Sequence, residues 1–116
     1  MSFRLAEAIR IGSKEVPQCV GFAYYGRDGN IASACALGAA AMTIGALVNY
    51  ESSHTAAYLT LKDTFPELTA QIGPQSLGSN LGRRQPSIWT LASEIVWLND
   101  KMGWTREQIA DWVETL

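Results

Sequence analysis

The sequence predicts one mainly α-helical (α+β) domain over residues 1–116, with about five helices, an N-terminal β-hairpin and a C-terminal αα-hairpin. Apolar residues recur at helical spacing towards both ends of the chain, and an Asp-Gly step separates two alternating runs between residues 20 and 35. Residues 35–47 are nearly all small or apolar, and a helix that is apolar on every side belongs in the interior. This helix should be central to the fold. The positions that would let a neighbouring element approach its backbone are Gly38, Ala41 and Gly45.

The N-terminal segment, residues 3–16, has the pattern of an amphipathic helix that ends before Pro17. Charged side chains occupy one side of this helix, and the other side carries an apolar stripe that should face the core. The stripe consists of Leu5, Ile9, Gly12 and Val16.

The hairpin that follows is predicted from the step Asp28-Gly29, which is a strong turn signal between two alternating runs. Its register places Cys35 opposite Phe22 and leaves Cys19 three positions out of register. That offset exceeds the Cα separation that a disulfide tolerates, so we expect two free thiols.

The middle of the chain predicts one capped helix, one short helix and a loop. Ser52 and Ser53 can cap a helix over about residues 54–64 that carries Tyr58, Leu61 and Phe65 on one face, and Pro66 suits the first turn of a short helix that ends at Ile72. Residues 73–86 are rich in glycine, proline and serine, which predicts a loop.

The last third of the chain predicts two helices that form an αα-hairpin. The first, over residues 88–102, has an apolar stripe at spacings of three and four and ends at Gly103. Thr105 and Gln108 form a capping box that opens the second helix. The stripe of the first helix consists of Ile88, Leu91, Ile95, Leu98 and Met102.

Composition narrows the classes of function. A net charge of −2 argues against a nucleic-acid partner, because such surfaces concentrate Lys and Arg. The longest apolar run is shorter than a membrane span and residues 1–16 lack an apolar signal-peptide core, so we expect no membrane association. With no export signal and two cysteines, a cytoplasmic protein with reduced thiols is expected. A charged fraction of only 17% favours association with other copies or with another protein.

Two stretches resemble a known group of proteins. Residues 33–40 read Ser-Ala-Cys-Ala-Leu-Gly-Ala-Ala, and residues 98–113 read Leu-Asn-Asp-Lys-Met-Gly-Trp-Thr-Arg-Glu-Gln-Ile-Ala-Asp-Trp-Val. Together with the N-terminal Leu-Ala-Glu-Ala-Ile-Arg helix they resemble small uncharacterised bacterial and phage-type proteins, over about half of the chain and not over residues 49–86. Members of that group often carry His at the position of Trp97, so the resemblance implies no metal site here. It implies no activity either, because the group has no established function.

Cys35 is the one candidate for a reactive thiol. It is predicted at a helix N-terminus directly after a strand, where the helix dipole lowers the pKa of a thiol. A cysteine hydrolase also needs a His base and an orienting group, and His54 is the single histidine of the chain. We therefore favour a small buried side chain at Cys35 and keep a Cys35-dependent enzyme as the third hypothesis.

Metal and cofactor motifs are not found in the sequence. His54 has no second His and no Cys at ligand spacing, which predicts no metal site. The glycine-containing segment 73–82 lacks the Lys-Ser/Thr of a phosphate-binding loop, so no nucleotide cofactor is expected.

Residues 88–116 also have the spacing of a divergent helix-turn-helix, with Gly103 in the turn. Asn99 stands where a small residue normally allows close helix crossing, and Arg106 is followed by three acidic residues that would repel phosphates. A plain αα-hairpin is the better interpretation. A small accessory regulator that uses this motif is the second hypothesis.

The leading hypothesis is a non-enzymatic structural or interaction protein that self-associates, through its C-terminal helices or the edge of its hairpin. Tryptophan is enriched at interface hot spots, and Trp89 and Trp97 lie off the apolar stripe of their helix. An arginine pair in the loop could hold a carboxylate or phosphate on a partner. The candidate interface residues are Trp89, Trp97, Trp104, Trp112, Arg83 and Arg84.

Overall fold

The computed structural model describes residues 2–72 and 89–116. Over these residues the chain forms five α-helices, one two-stranded antiparallel sheet and a short 3-10 helix, which confirms the mainly α-helical class with an N-terminal hairpin. The predicted loop 73–86, with Arg83 and Arg84, lies outside the described residues, as does Ile88. The elements are α1 (Phe3–Ser13), β1 (Ala23–Tyr25), β2 (Ile31–Ala34), α2 (Ala36–Thr43), α3 (His54–Thr64), the 3-10 helix (Pro66–Thr69), α4 (Leu91–Asp100) and α5 (Arg106–Glu114).

Helix α2 is the central element, as its small residues predict. Residues 36–41 are buried, and the helix contacts α1, α3 and α4. Its approach to α1 depends on Gly12, because a Cβ at that position would overlap the carbonyl group of Ala39. Gly38 is equally close to the carbonyl oxygen of Phe22. The expectation of a close approach at Gly38 is therefore confirmed.

Helices α1 and α2 are both shorter than the sequence predicts. Helix α2 ends at Thr43 because Gly45 takes a left-handed φ of 75°, which ends a helix. No atom lies within 4 Å of a Cβ built on Gly45, so the prediction that Gly45 permits close packing is wrong. Helix α1 ends at Ser13 and not at Val16. The residue before a proline is held away from helical geometry, which keeps Val16 out of the helix.

The hairpin has the predicted register, and a second edge that the sequence did not predict. Ala23 pairs with Ala34, and the amide of Cys35 donates to the carbonyl of Phe22 at 3.1 Å. On the other side of β2, the amide of Ala34 donates to the carbonyl of Pro17 at 3.0 Å and its carbonyl accepts from Cys19 at 3.3 Å. Cys19 therefore lies beside Ala34, on an edge of β2 that the predicted pairing did not include. Both thiols are free, as predicted.

Helix α3 begins where its cap predicts. The side chain of Ser53 accepts from the amide of Ala56, and Leu61 and Phe65 are buried against the core. The following 3-10 helix ends at Thr69 and not at Ile72. Its predicted last turn is replaced by pairing with the segment before α4, where the amide of Ile72 donates to the carbonyl of Trp89 at 2.7 Å.

The two C-terminal helices have the predicted caps but a shorter first member. Thr90 caps α4, and the helix ends at Asp100 because the amides of residues 101 and 102 both donate to the carbonyl of Trp97. Met102 therefore lies outside the helix and is 38% exposed, contrary to its predicted place in the buried stripe. The predicted capping box of α5 is present, and this helix packs chiefly against α1. In the described ranges, no helix has the length and apolar character needed to cross a membrane.

Candidate functional site: a groove between helices α3 and α4

A groove of about 350 Å³ lies between helices α3 and α4. Aromatic and aliphatic side chains form most of its wall, and one acidic and one basic residue stand where α4 ends. Its lining residues are Tyr58, Trp89, Ala92, Ser93, Val96, Trp97, Asp100 and Lys101.

The groove forms because α4 has two apolar faces. Leu91, Ile95 and Leu98 are buried in the core. The groove residues of α4 recur at spacings of three and four on the opposite face, so they point away from that stripe. On this second face Val96 is 39% exposed. Helix α4 thus presents an uncovered apolar surface among the described residues.

One wall of the groove is held by a buried carboxylate. The indole Nε1 of Trp89 donates to Oε2 of Glu94 at 2.7 Å. The side chain of Glu94 is fully buried, and its Oε1 has no hydrogen-bond partner in the described parts of the chain. This residue was missed in the sequence, although it lies three residues after Leu91 and four before Leu98, on the buried side of the helix. Glu94 positions the ring of Trp89.

Charged side chains lie beside the groove and at one of its ends. On α3, the ammonium group of Lys62 lies 4.8 Å from the centre of the Tyr58 ring, a cation–π contact. On α4, Asp100 Oδ1 accepts from the amide of Gly21 at 3.3 Å, which ties this end of the groove to the segment before β1. Lys101, the residue that follows α4, is exposed.

The predicted interface residues do not all lie at the same place in the structure. Trp89 and Trp97 come together in the groove. Trp104 and Trp112 do not line it and pack half-buried against the core, so they cover the C-terminal helices. Tyr58, which was predicted on the packing face of its helix, packs partly buried against the core and also lines the groove. Arg83 and Arg84 lie outside the described residues.

Cys35 lies at the predicted position, but the pKa of its thiol is raised and not lowered. Its Sγ accepts from the amide of Gly38 at 3.4 Å at the N-terminus of α2, but the side chain is buried. Burial raises the pKa of the Cys35 thiol to about 11 and outweighs the hydrogen bonds from the helix amides. The ring of His54 lies on Phe22 and Tyr25, with centroids 5.3 and 5.6 Å away. Cys35 is a buried capping residue.

The raised pKa of Cys35 predicts a loss of stability in alkaline solution. Above pH 9 ionisation of this thiol stabilises the unfolded chain, whereas the folded chain keeps the thiol protonated until about pH 11. We expect the difference in unfolding free energy between the wild type and Cys35→Ser to fall by about 2 kcal/mol from pH 8 to pH 10.5. Urea titrations at both pH values measure it, with Cys19→Ser as the control. A constant difference would contradict the assignment.

A buried polar network joins the N-terminal segment to the C-terminal helices. Arg106 is only 8% exposed, and its guanidinium donates to the carbonyls of Ala34, Ser13 and Val16 at 3.1, 3.2 and 2.7 Å. Asn99 accepts from Gln18 at 2.8 Å and donates to the carbonyl of Cys19 at 2.9 Å. No local sequence pattern predicts this network, because its partners lie far apart in the chain.

This network bears on the helix-turn-helix interpretation. Arg106 points into the protein, so it cannot contact a phosphate from the surface of α5. The outer face of α5 carries Glu107, Asp111 and Glu114, and all three accept from Arg10 of α1. The helix that would enter a DNA groove is therefore acidic and in contact with α1.

The groove, the polar network and Cys35 differ in their accessibility to a partner. The groove is lined in part by aromatic side chains, whereas the polar network and Cys35 are buried in the core. Within the described ranges, no group of three or more His, Cys, Asp or Glu side chains is placed to hold a metal ion. Comparison with protein-family models, curated proteins and solved structures gives no match for this chain.

Proposed function

We propose that the protein is a non-enzymatic interaction protein that self-associates through the groove between α3 and α4. The observation that supports this proposal is the groove itself, with Trp89 and Trp97 in its walls and Val96 at its surface. Association that covers such a surface with another apolar surface is favourable, because it releases the water on both. Aromatic residues in a pocket also provide most of the binding energy in many interfaces.

A second copy of the chain is the partner that fits the charges of the groove. In a two-fold interface the same patch meets itself, so a patch with charges of one sign repels its copy. The end of α4 places Asp100 beside Lys101, and each can face the opposite charge of the other copy. Two further apolar side chains of these segments, Leu59 on α3 and Met102 after the end of α4, are 53% and 38% exposed.

The proposal is tested by placing a charge in the groove. We expect light scattering after size exclusion to give a mass for the wild type that rises with concentration. Val96→Asp should reduce the association constant at least tenfold, because a buried unpaired carboxylate opposes the interface. Its matched control is Val48→Asp, which introduces the same charge at a residue that is 63% exposed and does not line the groove.

Three results have different meanings. Association of the wild type and of Val48→Asp, without association of Val96→Asp, supports the groove as the interface. A wild type that stays monomeric at every concentration contradicts self-association and leaves the groove for a foreign protein. Equal association of both variants moves the interface to another face.

A further inference from the structure

The segments that carry the two cysteines pair with each other at the start of α2. Gln18 and Ala34 form a parallel bridge, so the next residues along each segment are Cys19 and Cys35. The amide nitrogen of Cys19 lies 3.3 Å from the carbonyl oxygen of Ala34, which is in the peptide bond that leads into Cys35. Standard bond lengths then limit the distance between the two Cα atoms to about 7.5 Å.

The backbone also directs both side chains to the same side. Residues that pair across a parallel bridge point to one face, and their successors point together to the other face. Cys35 keeps an extended backbone, with φ of −76° and ψ of −176°, before α2 begins. Neighbouring strands lie about 5 Å apart, which is within the Cα separation of about 4.4 to 6.8 Å that a disulfide accepts.

The two thiols differ in their exposure to solvent. Cys19 is half-buried, so a small reagent can reach it more easily than Cys35, which is buried. The Arg106 guanidinium donates to the Ala34 carbonyl between them and interacts electrostatically with both sulfurs.

We propose that Cys19 and Cys35 form a reversible disulfide, with Cys19 as the thiol that reacts first and Cys35 as the thiol that resolves it. This places a redox-responsive bond between the segment before β1 and the first turn of α2. It is independent of the groove and of self-association, since neither cysteine lines the groove.

The oxidant is a small-molecule disulfide, for which oxidised glutathione is the probe. The Cys19 thiolate attacks one sulfur of oxidised glutathione, forms a mixed disulfide and releases one glutathione thiolate. The Cys35 thiolate then attacks the Cys19 sulfur, the new S–S bond forms, and the second glutathione thiolate leaves. Together the two protein thiols lose two electrons and two protons. These reduce one molecule of oxidised glutathione to two molecules of reduced glutathione.

The second step should depend strongly on pH. Burial raises the pKa of Cys35 to about 11, so its thiolate fraction rises about tenfold for each pH unit between 7 and 9. Decay of the mixed disulfide should accelerate by about the same factor. A rate that does not change with pH would contradict Cys35 as the resolving thiol.

The test treats the folded full-length protein with oxidised glutathione and follows its intact mass. The wild type should pass through a species that carries one glutathionyl group and end lighter than the reduced protein by two hydrogen atoms. Trypsin cleaves at Arg27, so the product should yield peptide 15–27 linked to peptide 28–62. The disulfide should also raise the midpoint of thermal unfolding by about 10 °C, because it restricts the unfolded chain.

Two variants provide the controls. Cys35→Ser keeps an oxygen that can cap α2 and should stop at the mixed disulfide on Cys19. Cys19→Ser should stay unmodified while folded, because Cys35 is buried. The proposal fails if the wild type also stops at the mixed disulfide, or if Cys19 instead links two chains.

Discussion

Replacement of Gly12 by alanine should destabilise the protein by about 3 kcal/mol or more, although alanine is the better helix former. In an exposed helix the same change would stabilise the fold by about 1 kcal/mol. At Gly12 the added Cβ would overlap the carbonyl of Ala39, a backbone atom group that cannot rotate away. Helices α1 and α2 would have to separate, and the core between them would lose its packing.

Urea unfolding followed by tryptophan fluorescence measures this effect. Ile11→Ala is the matched control, because it changes the neighbouring position of α1, which is 43% exposed. The control should cost about 1 kcal/mol at most. A Gly12→Ala variant that is as stable as the wild type would show that α1 and α2 are not held at this distance.

Replacement of Arg106 by methionine should destabilise the protein by about 3 to 5 kcal/mol. Methionine preserves much of the volume of the side chain and removes all three hydrogen bonds to backbone carbonyls. The carbonyls of Ser13, Val16 and Ala34 would then lack this donor in a region that water reaches poorly. A total unfolding free energy for a small domain is about 5 to 15 kcal/mol, so this one change removes a large share.

Arg106→Lys separates charge from geometry at the same position. A lysine keeps the positive charge, but its single ammonium group cannot reproduce the planar fork that reaches three carbonyls. It should recover only part of the loss. The matched control is Arg4→Met, an exposed arginine whose removal should change stability by less than about 0.5 kcal/mol. Equal effects at Arg106 and Arg4 would contradict the bridging role.

The elements could be predicted from the sequence wherever local rules determine them. The caps at Ser53 and Thr105, the turn at Asp28-Gly29 and the apolar character of α2 each follow from residue type and spacing. Helix ends were less predictable, because tertiary hydrogen bonds replaced the last turn of the 3-10 helix. A local sequence pattern does not show which distant residues will form these hydrogen bonds.

The candidate site was only partly predictable for the same reason. Trp89 and Trp97 stood out because they lie off the apolar stripe of their helix. The opposite wall, which Tyr58 provides, depends on how α3 lies beside α4. The polar network depends even more on tertiary structure, since Arg106 bonds to carbonyls about 70 to 90 residues away in the sequence.

The central claim is that two copies of the chain meet at the groove between α3 and α4. Amide hydrogen exchange of the wild type, measured at low and high protein concentration, tests it most directly because it reports where protection changes. We predict that higher concentration slows exchange in peptides that cover residues 54–64 and 89–101, and leaves peptides that cover residues 46–52 unchanged. Exchange that is independent of concentration everywhere, or protection confined to other segments, would contradict the claim.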